Sequence, residues 1–207
     1  MKAYTVVNSQ YANKPTFVQH KGTKLGWNIT TIDVGRDWHM WKKPMWLRAR
    51  LSKDKVADDD LIMYCDALDV TLRATPERVE QLYCKYFEGK VVFNAEVNPT
   101  VWTDKPKLEY AVHTIGEVFP FINAGVFIGR AKQVQEVLTS WCKAFWKAKP
   151  FVNAGNSGCD QAPLILAWSA DKHLPICVDT KAIIMLATRG MMLDTRYVEG
   201  LAIQHDN

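Results

Sequence analysis

The sequence predicts an α/β domain with a mixed, mostly parallel central sheet flanked by helices. Short apolar runs alternate along the chain with segments whose apolar residues recur at helical spacing, which is the order expected of a layered α/β fold. Two of the apolar runs end in carboxylates. With 48% apolar residues and no linker or repeat, the 207 residues are enough for one core, so we expect a single domain over residues 1–207.

The first elements are two strands, at residues 3–8 and 28–34, the second ended by Gly35. Between them lies a polar, turn-rich loop at residues 8–15, and a nucleotide has room to sit over it beside Asn8. Residues 15–20 are compatible with either a short helix or an extended segment. Pro44 is well placed to open the next helix.

Basic and aromatic residues interleave around the start of that helix, at residues 38–51. One interpretation is a platform that stacks a base or sugar and pairs with phosphates; the other is a surface helix with an aromatic core face and a solvated basic face. We favour the solvated face for Arg48 and Arg50. For Trp38, Lys42 and Lys43 both interpretations stay open.

Residues 61–70 form an apolar run that ends in two carboxylates, Asp66 and Asp69. In an open α/β sheet, ligands bind at the carboxyl ends of the strands, so this pair offers oxygen ligands where a substrate would lie. Such ligands suit Mg²⁺ or Mn²⁺ held together with substrate phosphates. The alternative is a helix N-cap followed by a solvated turn carboxylate.

The middle of the chain predicts a helix, a strand and a loop. Thr75 has the character of an N-cap with Pro76 at the first helical position, and apolar residues recur to about Phe87, so its aromatic residues are expected in the core. The strand at residues 91–96 ends in Glu96, which points toward the same rim as Asp66. The loop at residues 98–106 carries Trp102 and is long enough to form a binding edge.

The last third continues the alternation. Residues 119–129 predict an extended apolar segment interrupted by Asn-Ala-Gly, where small residues would let a ligand approach the backbone and Asn123 would hydrogen-bond it. A second amphipathic helix follows from Ala131, and a loop at residues 153–161 leads to another helix. Asp160 is able both to cap that helix and to face the reacting centre. Late strands are expected at residues 175–179 and 181–187.

Composition narrows the function classes without choosing one. A net charge of +4 and a pI of 8.7 fit an anionic substrate such as a nucleotide or nucleic acid, but many other proteins are as basic. The five scattered Cys residues argue against a disulfide framework and a zinc site. No secretory leader or bilayer-spanning stretch is recognisable, so we expect a cytoplasmic protein with no membrane partner.

Taken in order, several segments are more specific than any one of them. These segments are Tyr-Cys-Asp-Ala-Leu-Asp-Val at residues 64–70, Val-Phe-Asn-Ala-Glu at 92–96, Phe-Ile-Asn-Ala-Gly-Val-Phe-Ile-Gly-Arg-Ala at 121–131 and Cys-Asp-Gln at 159–161. Together they resemble the glycosyltransferase domain of the procollagen lysyl hydroxylase family, in its stand-alone viral or bacterial form. The resemblance extends over nearly the whole chain.

The resemblance implies a GT-A type nucleotide-diphospho-sugar transferase fold, a UDP-sugar donor and Mn²⁺ (or Mg²⁺). In that family an aspartate pair and a late His hold the metal, which carries over to Asp66, Asp69 and His205. The family follows this His with Gly-Asn-Gly, whereas His205 is followed by Asp206 and Asn207.

The remaining site residues rest on the same resemblance, on positions at predicted strand ends and in predicted loops, and on the basic and aromatic segment at residues 38–51. For the reaction itself they are Asp160, Glu96 and Asn123; for the donor, Asn8, Lys43, Asp66 and Asp69; for the acceptor, Trp38 and Trp102.

The leading hypothesis for the acceptor is a hydroxymethylated pyrimidine base in DNA, flipped out or single-stranded, since the stand-alone relatives are thought to decorate such bases. Aromatic loops with Trp38, Trp41 and Trp102 would stack it, while Lys42, Lys43, Lys105 and Lys107 would contact phosphates. The alternatives are the same chemistry on protein hydroxylysine, a glycan or a small metabolite, and a non-catalytic nucleic-acid-binding module.

Overall fold

The computed structural model describes residues 1–9, 14–36, 39–96, 117, 119–152, 160–187 and 201–205. Within these ranges the chain forms nine strands and five α-helices. The strands are β1 (Lys2–Val7), β2 (Ile29–Asp33), β3 (Leu61–Cys65), β4 (Val70–Leu72), β5 (Val91–Glu96), β6 (Phe121–Arg130), β7 (Ile176–Val178), β8 (Met185–Ala187) and β9 (Ile203–His205). The helices are α1 (Phe17–Thr23), α2 (Lys43–Lys53), α3 (Pro76–Tyr86), α4 (Ala131–Val152) and α5 (Gln161–Ala170).

Local sequence signals explain where several helices begin. Thr16 caps α1 in a capping box with Gln19, which settles this segment as a helix. Thr75 accepts a hydrogen bond from the backbone of Arg78, and Pro76 occupies the first turn of α3. A short 3₁₀ turn, Met40–Lys42, leads into α2, whose first turn contains Pro44.

All nine strands belong to one mixed, mostly parallel sheet in the order β2-β1-β3-β6-β5-β8-β9-β4, with β7 also paired to β5. The pairs β1–β2, β1–β3, β5–β7, β5–β8 and β8–β9 are parallel. Strand β6 is antiparallel to both of its neighbours, β3 and β5, and β4 is antiparallel to β9. Apolar side chains cover both faces, one packed with α2, α4 and α5 and the other with α1 and α3.

The direction of β6 determines which residues meet at the rim of the sheet. Because β6 is antiparallel, its first half lies beside the ends of β3 and β5, so that Cys65 pairs with Val126 and Glu96 pairs with Phe121. The register between β5 and β6 shifts between Phe93 and Asn94, which is a β-bulge. Bulges re-aim side chains next to functional sites.

Four details differ from the expectations. Asn-Ala-Gly does not interrupt the segment after residue 120, because β6 runs through it. Only Met185–Ala187 of the expected strand at 181–187 is a strand. Tyr86, expected in the core, is 47% exposed at the end of α3. Asp160 occupies the N-cap position of α5, but its side chain makes no capping hydrogen bond.

None of the helices in the described ranges combines the length and the apolar content needed to span a bilayer.

Candidate functional site

Two carboxylates and one imidazole converge at the rim of the sheet. Asp66 and Asp69 follow β3 directly, and His205 ends β9, where it pairs with Val70. Nε2 of His205 lies 3.3 Å from Oδ2 of Asp69 and 3.9 Å from Oδ2 of Asp66. One ligand atom from each of the three residues lies within 4.8 Å of the others. The two residues predicted at a strand end and the one predicted near the end of the sequence therefore form one cluster.

The imidazole of His205 is 1% exposed and is held from its other side. Its Nδ1 lies 3.0 Å from Oδ1 of Asn123 and 3.3 Å from the side-chain amide of Asn94. The ring lies close against Gly125: a Cβ added there would be 2.1 Å from Cε1 of His205. The small residue expected to admit a ligand therefore admits the His205 ring instead.

A second group of charges adjoins the cluster through Lys43. Its Nζ lies 2.8 Å from Oδ1 of Asp66 and 2.7 Å from Oδ2 of Asp160, while the hydroxyl of Tyr64 donates to the same Oδ1 of Asp66 at 2.8 Å. The side chains of Lys43 and Asp160 are 5% and 8% exposed. Lys43 thus joins a carboxylate of the rim to one at the start of α5.

Burial and charge act in opposite directions on these groups. Burial works against a charged Lys43, but the carboxylates of Asp160 and Asp66 outweigh it and raise the Lys43 pKa above its ordinary value. Burial raises the pKa of Asp160, although attraction to Lys43 works the other way. Burial also acts to raise the pKa of Asp69, but the neighbouring His205 and the charge of Lys43 leave it lowered. Lys43 is therefore kept as a cation between two carboxylates.

Glu96 connects the two groups. Its carboxylate accepts hydrogen bonds from Nδ2 of Asn123 at 3.0 Å and from Nε2 of Gln161 at 2.7 Å. Gln161 follows Asp160 in the chain, so the contacts run from His205 through Asn123, Glu96 and Gln161 to Asp160 and return through Lys43 to Asp66. The structure thus brings together the three residues predicted to act in the reaction and four of those predicted to bind metal or donor.

Other predicted residues lie at the margin or outside. Asn8 is half-buried and directly follows β1, at the same end of the sheet as Asp66. Trp41 stacks on Phe145 with ring centroids 4.0 Å apart, so one of its faces belongs to the core, and Lys42 lies over its ring at 5.3 Å. Four predicted contacts fall outside the described residues: Trp38, Trp102, Lys105 and Lys107.

Tyr64, Asn94 and Gln161 contact predicted site residues but are absent from the sequence prediction. Tyr64 lies two residues before Asp66, and the period of a strand places such residues on one face, so this contact was open to prediction. Asn94 lies at the β-bulge and contacts His205, and the sequence carries no recognisable signal for the bulge. The contact of Gln161 with Glu96 depends on how α5 is placed relative to β5, which the sequence does not reveal.

The cluster fits a divalent cation. Two carboxylate oxygens and a ring nitrogen converge there, and two carboxylates so close together are stabilised by a positive charge between them. Carboxylates suit Mg²⁺ and Mn²⁺, and imidazole adds a nitrogen ligand of the kind that transition metals accept. The residues that would hold the ion are Asp66, Asp69 and His205.

Comparisons with known sequences identify related proteins. A family model described as "PLOD GT domain" matches residues 4–144. "Multifunctional procollagen lysine hydroxylase and glycosyltransferase" of Caenorhabditis elegans is 31% identical over 122 residues, which are 54% of this chain and 16% of that protein. "Procollagen-lysine,2-oxoglutarate 5-dioxygenase" of Drosophila melanogaster is 28% identical over 120 residues, 53% of this chain and 16% of that protein. The chain therefore spans a small part of these relatives.

A solved structure resembles nearly the whole chain. It is described as a glycosyltransferase involved in the glycosylation of the major capsid of PBCV-1, with a TM-score of 0.54 and 12% identity, covering 98% of this chain and 93% of that one. At this identity the likeness concerns the fold alone. It confirms the GT-A type α/β fold that the sequence resemblance implies.

Proposed function

The chain belongs to the PLOD GT domain family and is a glycosyltransferase, and from this premise we propose that it moves a sugar from a UDP-sugar to a hydroxyl acceptor with the help of Mn²⁺. The observation that carries the proposal is the convergence of Asp66, Asp69 and His205 at the ends of the strands. In α/β sheets this rim is where ligands bind.

The proposed donor site uses the charges around this cluster. A divalent ion held there would neutralise the diphosphate that leaves when the glycosidic bond breaks. Lys43 adds a buried positive charge 2.8 Å from Asp66, on the side toward Asp160, and is suited to pair with a phosphate oxygen. Asn8, at the end of the neighbouring strand β1, would contact the nucleoside.

The proposed roles of Asp160, Glu96 and Asn123 follow from their positions beside the donor site. Asp160 and Glu96 are buried carboxylates whose oxygens are already oriented, by Lys43 in one case and by two amides in the other. Preorganised groups of this kind stabilise developing charge without reorganising during the reaction. We assign Asp160 to the transferred sugar or the acceptor hydroxyl, with Glu96 beside it.

The proposed acceptor is a hydroxymethylated pyrimidine base in DNA. It is supported by the net charge of +4, which favours a polyanion. Phosphate contacts by Lys42, Lys105 and Lys107 and stacking on Trp38 and Trp102 belong to the same proposal.

Protein hydroxylysine is the second candidate acceptor. The curated relatives favour it, because their names describe hydroxylases of procollagen lysine, one of them also a glycosyltransferase. Both acceptors present a primary or secondary hydroxyl to the same donor site, so they differ in what surrounds that hydroxyl.

One assay separates these possibilities. The protein is incubated with UDP-sugars and Mn²⁺ together with hydroxymethylated DNA, unmodified DNA or a hydroxylysine peptide, and sugar transfer is followed by mass spectrometry. Asp69→Ala should lose transfer, whereas Asp58→Ala, which removes an exposed carboxylate away from the cluster, should keep it. DNA binding unaffected by EDTA, with neither transfer nor donor hydrolysis, would instead identify a nucleic-acid-binding module.

A further inference from the structure

We infer that Asn123 is a positioning residue for the metal site: it holds the His205 imidazole in the tautomer whose Nε2 lone pair points at Asp66 and Asp69. This inference rests on the proposed metal dependence and assigns Asn123 a task different from contacting the sugar. Its starting point is the 3.0 Å contact between Oδ1 of Asn123 and Nδ1 of His205, both in buried side chains.

The amide of Asn123 has its orientation fixed at both ends. Its Oδ1 accepts a hydrogen bond from the backbone N–H of Gly125 at 2.8 Å, and a backbone N–H only donates. Its Nδ2 donates to Oε2 of Glu96 at 3.0 Å, and a carboxylate only accepts. The atom that faces His205 is therefore the amide oxygen, and a flip of the amide would break both bonds.

An amide oxygen accepts and never donates, so the Nδ1 of His205 must carry the proton at this contact. Asn94 supports the same tautomer: with its amide turned so that the nitrogen donates to the carbonyl of Val126 at 3.1 Å, its oxygen accepts from Nδ1 at 3.3 Å. Two amides thus surround the Nδ1–H of a ring that is 1% exposed.

The consequence lies on the opposite edge of the ring. In the neutral imidazole with a protonated Nδ1, Nε2 carries a lone pair, and here it faces Oδ2 of Asp69 at 3.3 Å and Oδ2 of Asp66 at 3.9 Å. The opposite tautomer would donate a hydrogen bond to Asp69 and would make a cation unnecessary. Asn123 therefore favours the tautomer of His205 that can ligate a metal over the tautomer that would donate a hydrogen bond to Asp69. Residues that hydrogen-bond to metal-ligating histidines commonly act in this way.

Glu96 restrains the side chain of Asn123. Its carboxylate accepts from Asn123 on one oxygen and from Gln161 on the other, and all three side chains are buried. Of the two amides that donate to Glu96, only that of Asn123 also contacts His205. This difference provides a matched pair of variants, since Asn123→Leu and Gln161→Met each remove one amide from Glu96 with little change in volume.

The first test reads the tautomer directly in the metal-free, unmodified protein. Long-range ¹H–¹⁵N NMR spectra, recorded in a buffer alkaline enough to keep imidazoles neutral, distinguish a protonated Nδ1 from a protonated Nε2, and His205→Gln identifies the signal. We expect a protonated Nδ1 in the wild type. A wild-type His205 protonated on Nε2 overturns the inference without any variant having to fold.

The second test measures Mn²⁺ affinity through the EPR signal of the free ion. Asn123→Leu should weaken binding roughly 10–100-fold, the usual effect of losing such a partner, while Gln161→Met should bind as the wild type does. Adding Asn123→Leu to His205→Gln should cause no further loss. Equal losses in the two single variants, or none in Asn123→Leu, contradict the inference, whereas a wild type that binds no Mn²⁺ contradicts the proposed function itself.

Discussion

Replacing Gly125 by Ala tests whether the position of His205 matters for metal binding. A Cβ at this position would lie 2.1 Å from Cε1 and 2.7 Å from both ring nitrogens. Non-bonded carbon atoms require about 3.5 Å, so the ring must retreat by more than about 1 Å or the strand must shift. Metal–ligand distances are specified to about 0.2 Å, and a retreat of this size removes Nε2 from the ligand set.

The expected result is a loss of Mn²⁺ affinity of at least about 10-fold together with an overpacking cost of about 1–3 kcal/mol in the free energy of unfolding. Gly129→Ala is the matched control on the same strand. Its Cβ would meet Cγ2 of Val91 at 2.9 Å, so it overpacks the core without touching His205.

Mn²⁺ titration and urea denaturation of both variants separate the two effects. Gly129→Ala should lose stability and keep its affinity, whereas Gly125→Ala should lose both. The reasoning is refuted if Gly125→Ala binds Mn²⁺ like the wild type, or if both variants lose affinity equally.

Three further predictions concern the charges of the site. Mn²⁺ at about 100 times its Kd should stabilise the wild type by about 2.7 kcal/mol, seen as a raised Tm, and Asp66→Ala or Asp69→Ala should abolish that gain; an unchanged gain would remove these residues from the metal site. Lys43→Met should destabilise the protein by about 3–5 kcal/mol near neutral pH, measured by urea denaturation, because it leaves the buried carboxylate of Asp160 without its cation. The same loss should shrink in acid. Burial raises the pKa of Asp160 above its value in the unfolded chain, so the protonated carboxyl favours the folded state, and this contribution is lost as the pH rises through the raised pKa. A pH-independent loss in Lys43→Met would contradict this last prediction.

The sequence was informative wherever a local pattern determines structure. The α/β alternation predicted the class of fold, and strand β3, which ends directly before Asp66, followed from an apolar run bounded by carboxylates. Helix α3 followed from Thr75 and Pro76. The length of the strand near residue 185 was overestimated, because apolar residues in the preceding turn carry the same signal as a strand. There Asp179 accepts three backbone hydrogen bonds and holds a turn.

The site was harder to predict from the sequence because its residues are far apart along the chain. Asp66 and His205 are 139 positions apart by their numbers and meet through the pairing of β4 with β9 and of β8 with β9. Only the family resemblance suggested His205. The basic and aromatic surroundings of Lys43 left its role open, and the family resemblance assigned it to the donor. Its burial between Asp66 and Asp160 could not be predicted from a basic segment.

The antiparallel direction of strand β6 brings several of the site residues together. Strand β6 lies between β3 and β5 and is antiparallel to both, so residues 121–125 come to the rim at which its neighbours end. From there the carbonyl of Gly125 accepts the backbone N–H of Asp66 at 2.8 Å, while Asn123 contacts His205 and Glu96. A parallel β6 would carry residues 121–125 to the opposite end of the sheet. The same Asn-Ala-Gly sequence would then contact neither the proposed metal ligands nor Glu96, so the role proposed for this motif depends on the topology as much as on its residues.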